Sequence, residues 1–593
     1  MIDYFNYPLD TKNLYRKKAK LRRVLSEQKR LLKKRIAILG GSTTNEIVDQ
    51  LNNFLLYYGI SAEFYQSEYG QYWQDAVFGS EKLNTFKPDI IYIHTNWRNI
   101  EKFPEMSDTM DDVEKKLADE YGRFETVWQE LENKFHCPII QNNFDRPNYR
   151  LMGNRDIWDY RGRSNYISRL NQKFYQYAMQ HDNFYINDLE YLAQDYGLSE
   201  WNNALYWYMY KSAMCMEAIP YVAQSIANII KSIYGKNKKI LVLDLDNTLW
   251  GGVIGDEGIE GIKIGQEVSK GQAYVEFQEY CKKLKEIGVI LAIDSKNDYE
   301  NAIAGLNHPD GILRPDDFVD IKANWNSKDQ NLREIADELT LGVDSFVFVD
   351  DNPAEREIVF AQLPGVSVPV MDSVENYIRI LDHSGYFETT VLSAEDQKKT
   401  EMYHAKTEAY KAKALFADYG EYLDSLEMIA EISDFKPIYF QRIAQLTNKS
   451  NQFNLTTIRY TEDDIKTMQQ DVEYICLCGR LKDKFADNGV TTVVIGHIEG
   501  DLLHIKLWLM SCRVLKRGME DAMMNVLFEE ARKRGIKKIV GYYYPTAKNF
   551  MVKDFYEQYG FEMVADGENK HGEKLVAQYQ PRRLHMKVTC MVV

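Results

Sequence analysis

What this sequence lacks narrows it before any motif is read. It has no apolar run long enough to cross a bilayer as a helix, which takes about 20 residues, so no membrane span is expected. Its seven cysteines (137, 215, 281, 476, 478, 512 and 590) are odd in number and scattered. Cys476 and Cys478 are too closely spaced to be half of a CxxC zinc site. With no secretory pattern at its start, the chain is expected to be reduced and cytoplasmic. Positive charge is also in deficit: 73 Lys and Arg stand against 88 Asp and Glu, for a net charge of −15. That balance argues against nucleic acid as a partner, because phosphate backbones reward a basic face. There is no internal repeat and no low-complexity tract.

What is present fills several domains. The 593 residues exceed one core, and at roughly 150 residues per domain they make about three or four. The one dense basic stretch, 12–34, holds eleven Lys or Arg against Glu27 alone. Leu14, Leu21, Leu25, Gln28 and Leu32 recur in it at near-helical spacing. This predicts a basic amphipathic helix, docked on its own domain or offered to an acidic partner or a membrane surface. "RIAILGGSTTNEIVDQ" then reads as a strand, a tight turn and a helix, and "DIIYIHTNW" as a second strand. "KKILVLDLDNTLW" opens another α/β unit, with further strands at 288–296 and 345–353. After a charged helical stretch, strands at 474–478, 490–498 and 502–509 alternate with helices near 517–534 and 547–559, a mixed α+β pattern.

The central unit carries the most demanding spacing. Asp244 and Asp246 end the apolar run "LVLDLD", and Asp350 and Asp351 end another in "FVFVDDNP". Alternate strand residues face one side, so these acids are expected to converge at strand ends, where open parallel sheets place their sites. Charge cannot gather there without compensation. A hard, oxygen-seeking cation such as Mg²⁺ supplies it and recruits phosphate as a further ligand. Ser295 and Lys328 complete a phosphate cradle with a hydroxyl donor and a point charge.

"DLDNT", "IDSKN", Lys328 in "NWNSKDQNL" and "FVDDNP" resemble, in chain order, the four motifs of haloacid dehalogenase-like (HAD) phosphotransferases. The resemblance implies Asp244 as the nucleophile on phosphorus, Asp246 as the acid/base, and Mg²⁺ held by Asp244, Asp246, Asp350 and Asp351. Neither the stretch 244–295 nor 295–328 holds a full cap domain, so a capless site is expected, open to a group carried on another protein. "LDLDNTLWGGVIGDEG", "SFVFVDDNPAERE", "LTNKSNQFNLTTIRYTEDDI", "SCRVLKRGMED" and "YYYPTAKN" resemble the FkbH-like branch over roughly 236–580. That branch implies loading of a glyceryl unit from a bisphosphoglycerate onto the phosphopantetheine thiol of an acyl carrier protein, with loss of phosphate.

The flanks carry two further resemblances. "RVLKRG" resembles the RxxGxG/A loop of GNAT acyltransferases, which opens a helix that receives a pyrophosphate. Arg513 and Gly518 match it, and Lys516 stands at its first Gly, where a lysine can still pair with phosphate. Asn549 and Tyr556 match a later element in "NFMVKDFYEQYGF". These five residues are expected to bind a pantetheine, as coenzyme A or on a carrier. Cys512 is a candidate acyl-carrying thiol, activated by Arg513 and the helix start; His497 and His504 are expected to be structural. In the N-terminal part, "GGS" at 40–42, Gly70 and "HTN" resemble the SGNH hydrolases, which implies Ser42 as a candidate nucleophile and Asn96 as an oxyanion donor. The Asp-x-x-His of that family is missing, since no His lies between His181 and His308, and His94 replaces its usual Gly.

The expected protein is therefore an α/β multidomain chain. It has a basic N-terminal helix (1–34), an SGNH-hydrolase-like three-layer α/β/α domain (35–235) and a capless HAD-like Rossmannoid α/β/α domain (236–385). A helical linker (386–425) and a GNAT-like α+β acyltransferase domain (426–593) complete it. Its expected partners are an acyl carrier protein and a phosphorylated three-carbon acyl donor. The competing readings are a plain Mg-dependent phosphatase acting on a phosphoprotein or sugar phosphate, and a non-catalytic pathway scaffold.

Overall fold

Ile36–Leu39, Ile90–Ile93, Leu241–Leu243 and Phe346–Val349 are all fully buried, the mark of strands covered on both faces. The computed structural model describes all residues except 1–2, 29–30, 393–398, 414–418, 451, 485, 512–513, 547, 567–568 and 592–593. Its chain divides into two compact units, Met1–Ser232 and Ile233–Val593.

In the first unit β1 (Leu32–Gly40), β2 (Ile60–Gln66), β3 (Ile90–His94), β4 (Ile139–Asn142) and β5 (Phe184–Asn187) form one parallel sheet in the order β2-β1-β3-β4-β5. The order reverses between β1 and β3, so the loops after these two strands open a crevice at their carboxyl ends. The basic stretch before β1 is not one helix. It forms Thr11–Arg16 and Lys18–Ser26, and Leu32 onward already belongs to β1. Leu14, Leu21 and Leu25 are buried, while Lys18 and Arg22 pair with Asp49 at 2.8 and 3.2 Å. The amphipathic face is thus docked on its own unit, and part of its charge is met there.

The second unit holds two sheets. β6 (Ile240–Leu243), β7 (Ile290–Ser295), β8 (Ile321–Ala323) and β9 (Phe346–Val349) run parallel in the order β8-β7-β6-β9. Only the short helix Ile254–Glu257 and the helix Ser269–Glu286 separate β6 from β7, and only Tyr299–Leu306 and a 3-10 turn separate β7 from β8. Among the described residues no cap domain is inserted. Helices Lys399–Lys413 and Tyr419–Ser425 lead to the third sheet.

That sheet comprises β10 (Ile429–Asp434), β11 (Phe453–Asn454), β12 (Tyr474–Lys482), β13 (Asp487–Glu499), β14 (Leu502–Met510), β15 (Lys538–Tyr543), β16 (Glu562–Asp566), β17 (Asn569–Leu575) and β18 (Lys587–Met591). Its order is β16-β17-β15-β14-β13-β12-β10-β18, with β11 paired to β14. The helix Met519–Lys533 crosses from β14 to the parallel β15. The helix expected near 547–559 is two short turns, Phe550–Val552 and Phe555–Gln558. Two parallel sheets and one mixed sheet thus realise the expected multidomain α/β and α+β fold class.

Candidate active site

The acids of the central unit meet where β6 and β9 end side by side. Leu243 pairs with Val349, and Asp244 N–H donates to Val349 O at 2.9 Å. Carboxylate oxygens of Asp244, Asp350 and Asp351 lie within 4.8 Å of one another, the one such metal-capable group among the described residues. Lys328, 2% exposed at the start of the helix Lys328–Leu339, reaches into this group. Its Nζ donates to Asp244 Oδ1 at 2.7 Å and to Asp294 O at 2.5 Å. Asp350 Oδ2 lies 3.2 Å from the same ammonium as an ion pair, without hydrogen-bond geometry.

The electrostatics show how crowded the negative charge is. Burial, then Asp244, pushes Asp350 up to about 6 and raises Asp351 above the ordinary carboxylate value. Burial opposes the charge on Lys328, yet Asp244, Asp350 and Asp294 outweigh it and hold the ammonium above the ordinary lysine value. A divalent cation fits this donor set: three clustered carboxylates, one with a buried oxygen lacking a hydrogen bond, offer the hard oxygen ligands Mg²⁺ takes.

Asp246 stands apart from this cluster, although it was expected among the metal ligands. The alternation that would put it beside Asp244 needs extended backbone, and β6 stops at Leu243. The chain turns, with Asn247 at φ 55°, and the Asp246 carboxylate accepts from Trp250 Nε1 at 2.9 Å, Ile254 N at 3.1 Å and Asn297 Nδ2 at 3.1 Å. Burial, more than any neighbour, raises its pKa. Ser295 ends β7, buried at 1%.

Asp294 was missed by sequence reasoning, as were Trp250 and Asn297 as holders of Asp246. Asp294 is fully buried, and its Oδ1 accepts from Asn331 Nδ2 at 2.8 Å while its Oδ2 has no hydrogen-bond partner among the described residues. Burial pushes it up to about 7. An acid standing one residue before a motif serine was the available signal.

In the first unit, β1 and β3 bring Ser42 and Asn96 to one sheet edge. Gly40 pairs with His94, and Gly41 N–H donates to His94 O at 2.8 Å. Gly70 N–H donates to Gly40 O at 3.2 Å, so it too joins this edge. A Cβ at Gly41 would come within 2.5 Å of the Asn99 side chain, whose Nδ2 donates to Gly41 O, so a larger residue would displace that contact. Ser42 Oγ and Asn96 Nδ2 are buried, and among the described residues neither has a hydrogen-bond partner. His94 is fully buried beneath, its Nδ1 2.8 Å from Tyr92 Oη and 2.9 Å from Asn142 Nδ2, and burial lowers it to about 4.

Of the C-terminal candidates, Cys512 and Arg513 lie outside the described residues. Lys516 takes φ 62°, the left-handed conformation that a Gly at this position would adopt freely. Gly518, at φ 83°, precedes the helix. Tyr556 is buried under Gly541, its Oη without a hydrogen-bond partner among the described residues. Asn549 is fully buried and engaged on several sides. Its Nδ2 donates to Asn454 O at 2.8 Å and Tyr544 O at 2.9 Å, and its Oδ1 accepts from Thr546 N at 2.7 Å. His504 donates to or accepts from Tyr542 Oη at 2.8 Å.

The FkbH N-terminal domain family matches residues 35–231. The structure is similar to that of the N-terminal part of the protein BF1531 from Bacteroides fragilis, which contains a phosphatase domain complexed with Mg. The two are 30% identical with a TM-score of 0.59, over 63% of this chain and 99% of that one. This chain belongs to the FkbH-like family. The C-terminal part of this FkbH-like chain is also similar to the PaiA N-acetyltransferase from Thermoplasma acidophilum in complex with coenzyme A, at 16% identity and TM-score 0.20 over 25% of this chain and 98% of that one. Ard1 from Thermoplasma volcanium is similar at 17% identity and TM-score 0.20, over 25% and 97% of the two chains. No curated protein matches. Among the described residues of the FkbH-like chain, no helix is long and apolar enough to cross a membrane.

Proposed function

We propose that this FkbH-like chain is a HAD-type phosphotransferase coupled to acyl transfer. It takes a phosphorylated three-carbon acyl donor of the phosphoglyceryl type, releases the phosphate, and delivers the acyl unit to the phosphopantetheine thiol of an acyl carrier protein. The observation that carries this reading is the Asp244–Asp350–Asp351 group bridged by Lys328 at an uncapped strand end. We assign the chemistry to the unit 236–385, with the SGNH-like unit 35–235 and the GNAT-like unit 426–593 as flanking domains joined through 386–425, and we place the protein in the cytoplasm.

Asp244 Oδ attacks the phosphorus of the donor's phosphate ester, forming an aspartyl phosphate as the bond from phosphorus to the donor's hydroxyl oxygen breaks; the acyl-phosphate end stays intact for the carrier thiol, whose sulfur bonds to the carbonyl carbon as the second phosphate leaves. Asp246, aimed by Trp250, Ile254 and Asn297, holds the proton that the leaving oxygen takes and afterwards accepts one from the water that hydrolyses the aspartyl phosphate. Lys328 holds Asp244 in place and sets a positive charge beside the phosphoryl oxygens. Ser295 donates its hydroxyl to them. A Mg²⁺ held by Asp244, Asp350 and Asp351 would offset the carboxylate charge and draw a phosphoryl oxygen into line.

The test incubates the protein with Mg²⁺, bisphosphoglycerate and a phosphopantetheinylated carrier, then weighs the intact carrier. A glyceryl adduct that disappears with Asp244→Asn supports the reading. Phosphate release with no adduct across several carriers would leave a plain phosphatase, and full function in Asp244→Asn would leave a scaffold.

A further inference from the structure

β14 and β15 are parallel neighbours only at their starts, from Leu502↔Lys538 to Ile505↔Gly541. Beyond that point they part, and the helix Met519–Lys533 connects them, so the crevice at their carboxyl ends is where an open parallel arrangement receives a ligand. In this chain the residues 453–456 lie along that edge. Phe453 and Asn454 pair with Met510 and Leu509 on the edge of β14 that β15 has left. Leu455 N–H donates to Trp508 O at 3.0 Å, and Thr456 Oγ1 donates to Lys506 O at 2.7 Å. On the opposite side Tyr544 N–H donates to Leu455 O at 2.8 Å. The segment is therefore paired with β14 on one side and hydrogen-bonded on the other to Tyr544, the residue that follows β15.

Its placement is over-determined. Phe453, Asn454 and Leu455 are at most 4% exposed. Asn549 clamps Asn454 O from behind, and Asn454 Oδ1 accepts from Thr457 N at 2.8 Å. Thr457 sits at φ 58°, which a β-branched residue adopts only when its surroundings impose it.

The anion seat beside the crevice is filled in the same way. The loop amide of Lys516 donates to Glu520 Oε1 at 2.9 Å, so the first turn of the helix presents its own carboxylate where a pyrophosphate would need donors. Arg517, the other loop cation among the described residues, is buried and donates to Asp483 Oδ2 at 2.5 Å.

We propose that the C-terminal crevice is self-occupied: Phe453–Thr456 stand where a pantetheine arm would lie, Glu520 stands where its pyrophosphate would sit, and coenzyme A has no seat there. Asn549 is then the clamp of this internal strand and not a ligand-binding residue. The inference does not depend on the phosphoryl chemistry at Asp244. Taken with that reading, it directs a carrier-borne thiol to the open β6–β9 edge.

The full chain is titrated with coenzyme A at up to millimolar concentration by calorimetry, while peptide-level hydrogen exchange follows 453–457 and 540–546. The expected result is no saturable heat, with the Leu455 and Tyr544 amides slowed at least about a hundredfold relative to an unstructured peptide, with and without coenzyme A. Saturable binding that leaves these amides unchanged puts the coenzyme elsewhere and upholds the proposal. Saturable binding that accelerates Leu455 exchange tenfold or more overturns it, as does a Leu455 amide that exchanges at the unstructured rate in the free protein. The carrier-mass assay reads the Asp244 chemistry separately, so either idea can fail alone.

Discussion

Lys328 is the residue on which the acid cluster balances. It is 2% exposed and its ammonium faces Asp244 and Asp350 at 2.7 and 3.2 Å. Removing one partner of a buried ion pair costs about 3–5 kcal/mol, because the charge left behind is uncompensated. Lys328→Met should therefore destabilise the metal-free protein by about that much, measured by denaturant melts, and Mg²⁺ should recover part of the loss because it offsets the same carboxylates. A variant as stable as wild type without metal would contradict the geometry. His94 makes a pH prediction. Burial lowers it to about 4, against about 6.5 in an unfolded chain, so between these values the unfolded state binds the extra proton. Stability must then fall as pH drops from about 6.5 towards 4, by up to about 3 kcal/mol from this group. Thermal melts across that window should show a shallower decline for His94→Gln, with the two slopes equal above pH 7.

At the level of elements, the active-site strands were legible and the internal strand was not. β6, β7 and β9 announce themselves as short apolar runs, and their acids mark the carboxyl ends that the structure brings together. Asp246 was expected to bring its carboxylate beside that of Asp244, but β6 ends at Leu243 and the carboxylate is held instead by Trp250, Ile254 and Asn297. Asp294 was overlooked although it stands directly before the motif Ser295, because its burial and its contact with Asn331 come from packing that the local sequence does not display. β11 is only two residues long and its partners lie more than 50 positions away, so neither periodicity nor composition could reveal it. Likewise "RVLKRG" shows a missing Gly, but only the structure shows that Lys516 keeps the glycine-like φ and hands its amide to Glu520. Phe453 and Leu455 each contribute about 1.5–3 kcal/mol by burial, and each bond made by Asn549 about 1 kcal/mol. Asn549→Ala should cost about 2–4 kcal/mol and loosen 453–457 in hydrogen exchange. A neutral effect on both would show that the clamp is idle.

At the scale of the whole molecule, a chain with two compact units should not unfold in one step. The metal-capable acids all lie in Ile233–Val593, so Mg²⁺ should raise only the calorimetric transition of that unit. At a hundredfold excess over its dissociation constant the gain is about 2.7 kcal/mol, and it should vanish in Asp350→Asn. A metal-dependent shift in both transitions would mean a second site. Mg-dependent phosphoryl chemistry at the Asp244 centre is read from phosphate release from bisphosphoglycerate in wild type and Asp244→Asn, with Mg²⁺ and with chelator. Wild type should release phosphate only with Mg²⁺, and Asp244→Asn should lose at least about a thousandfold of that rate. Release by Asp244→Asn at the wild-type rate would contradict chemistry at Asp244.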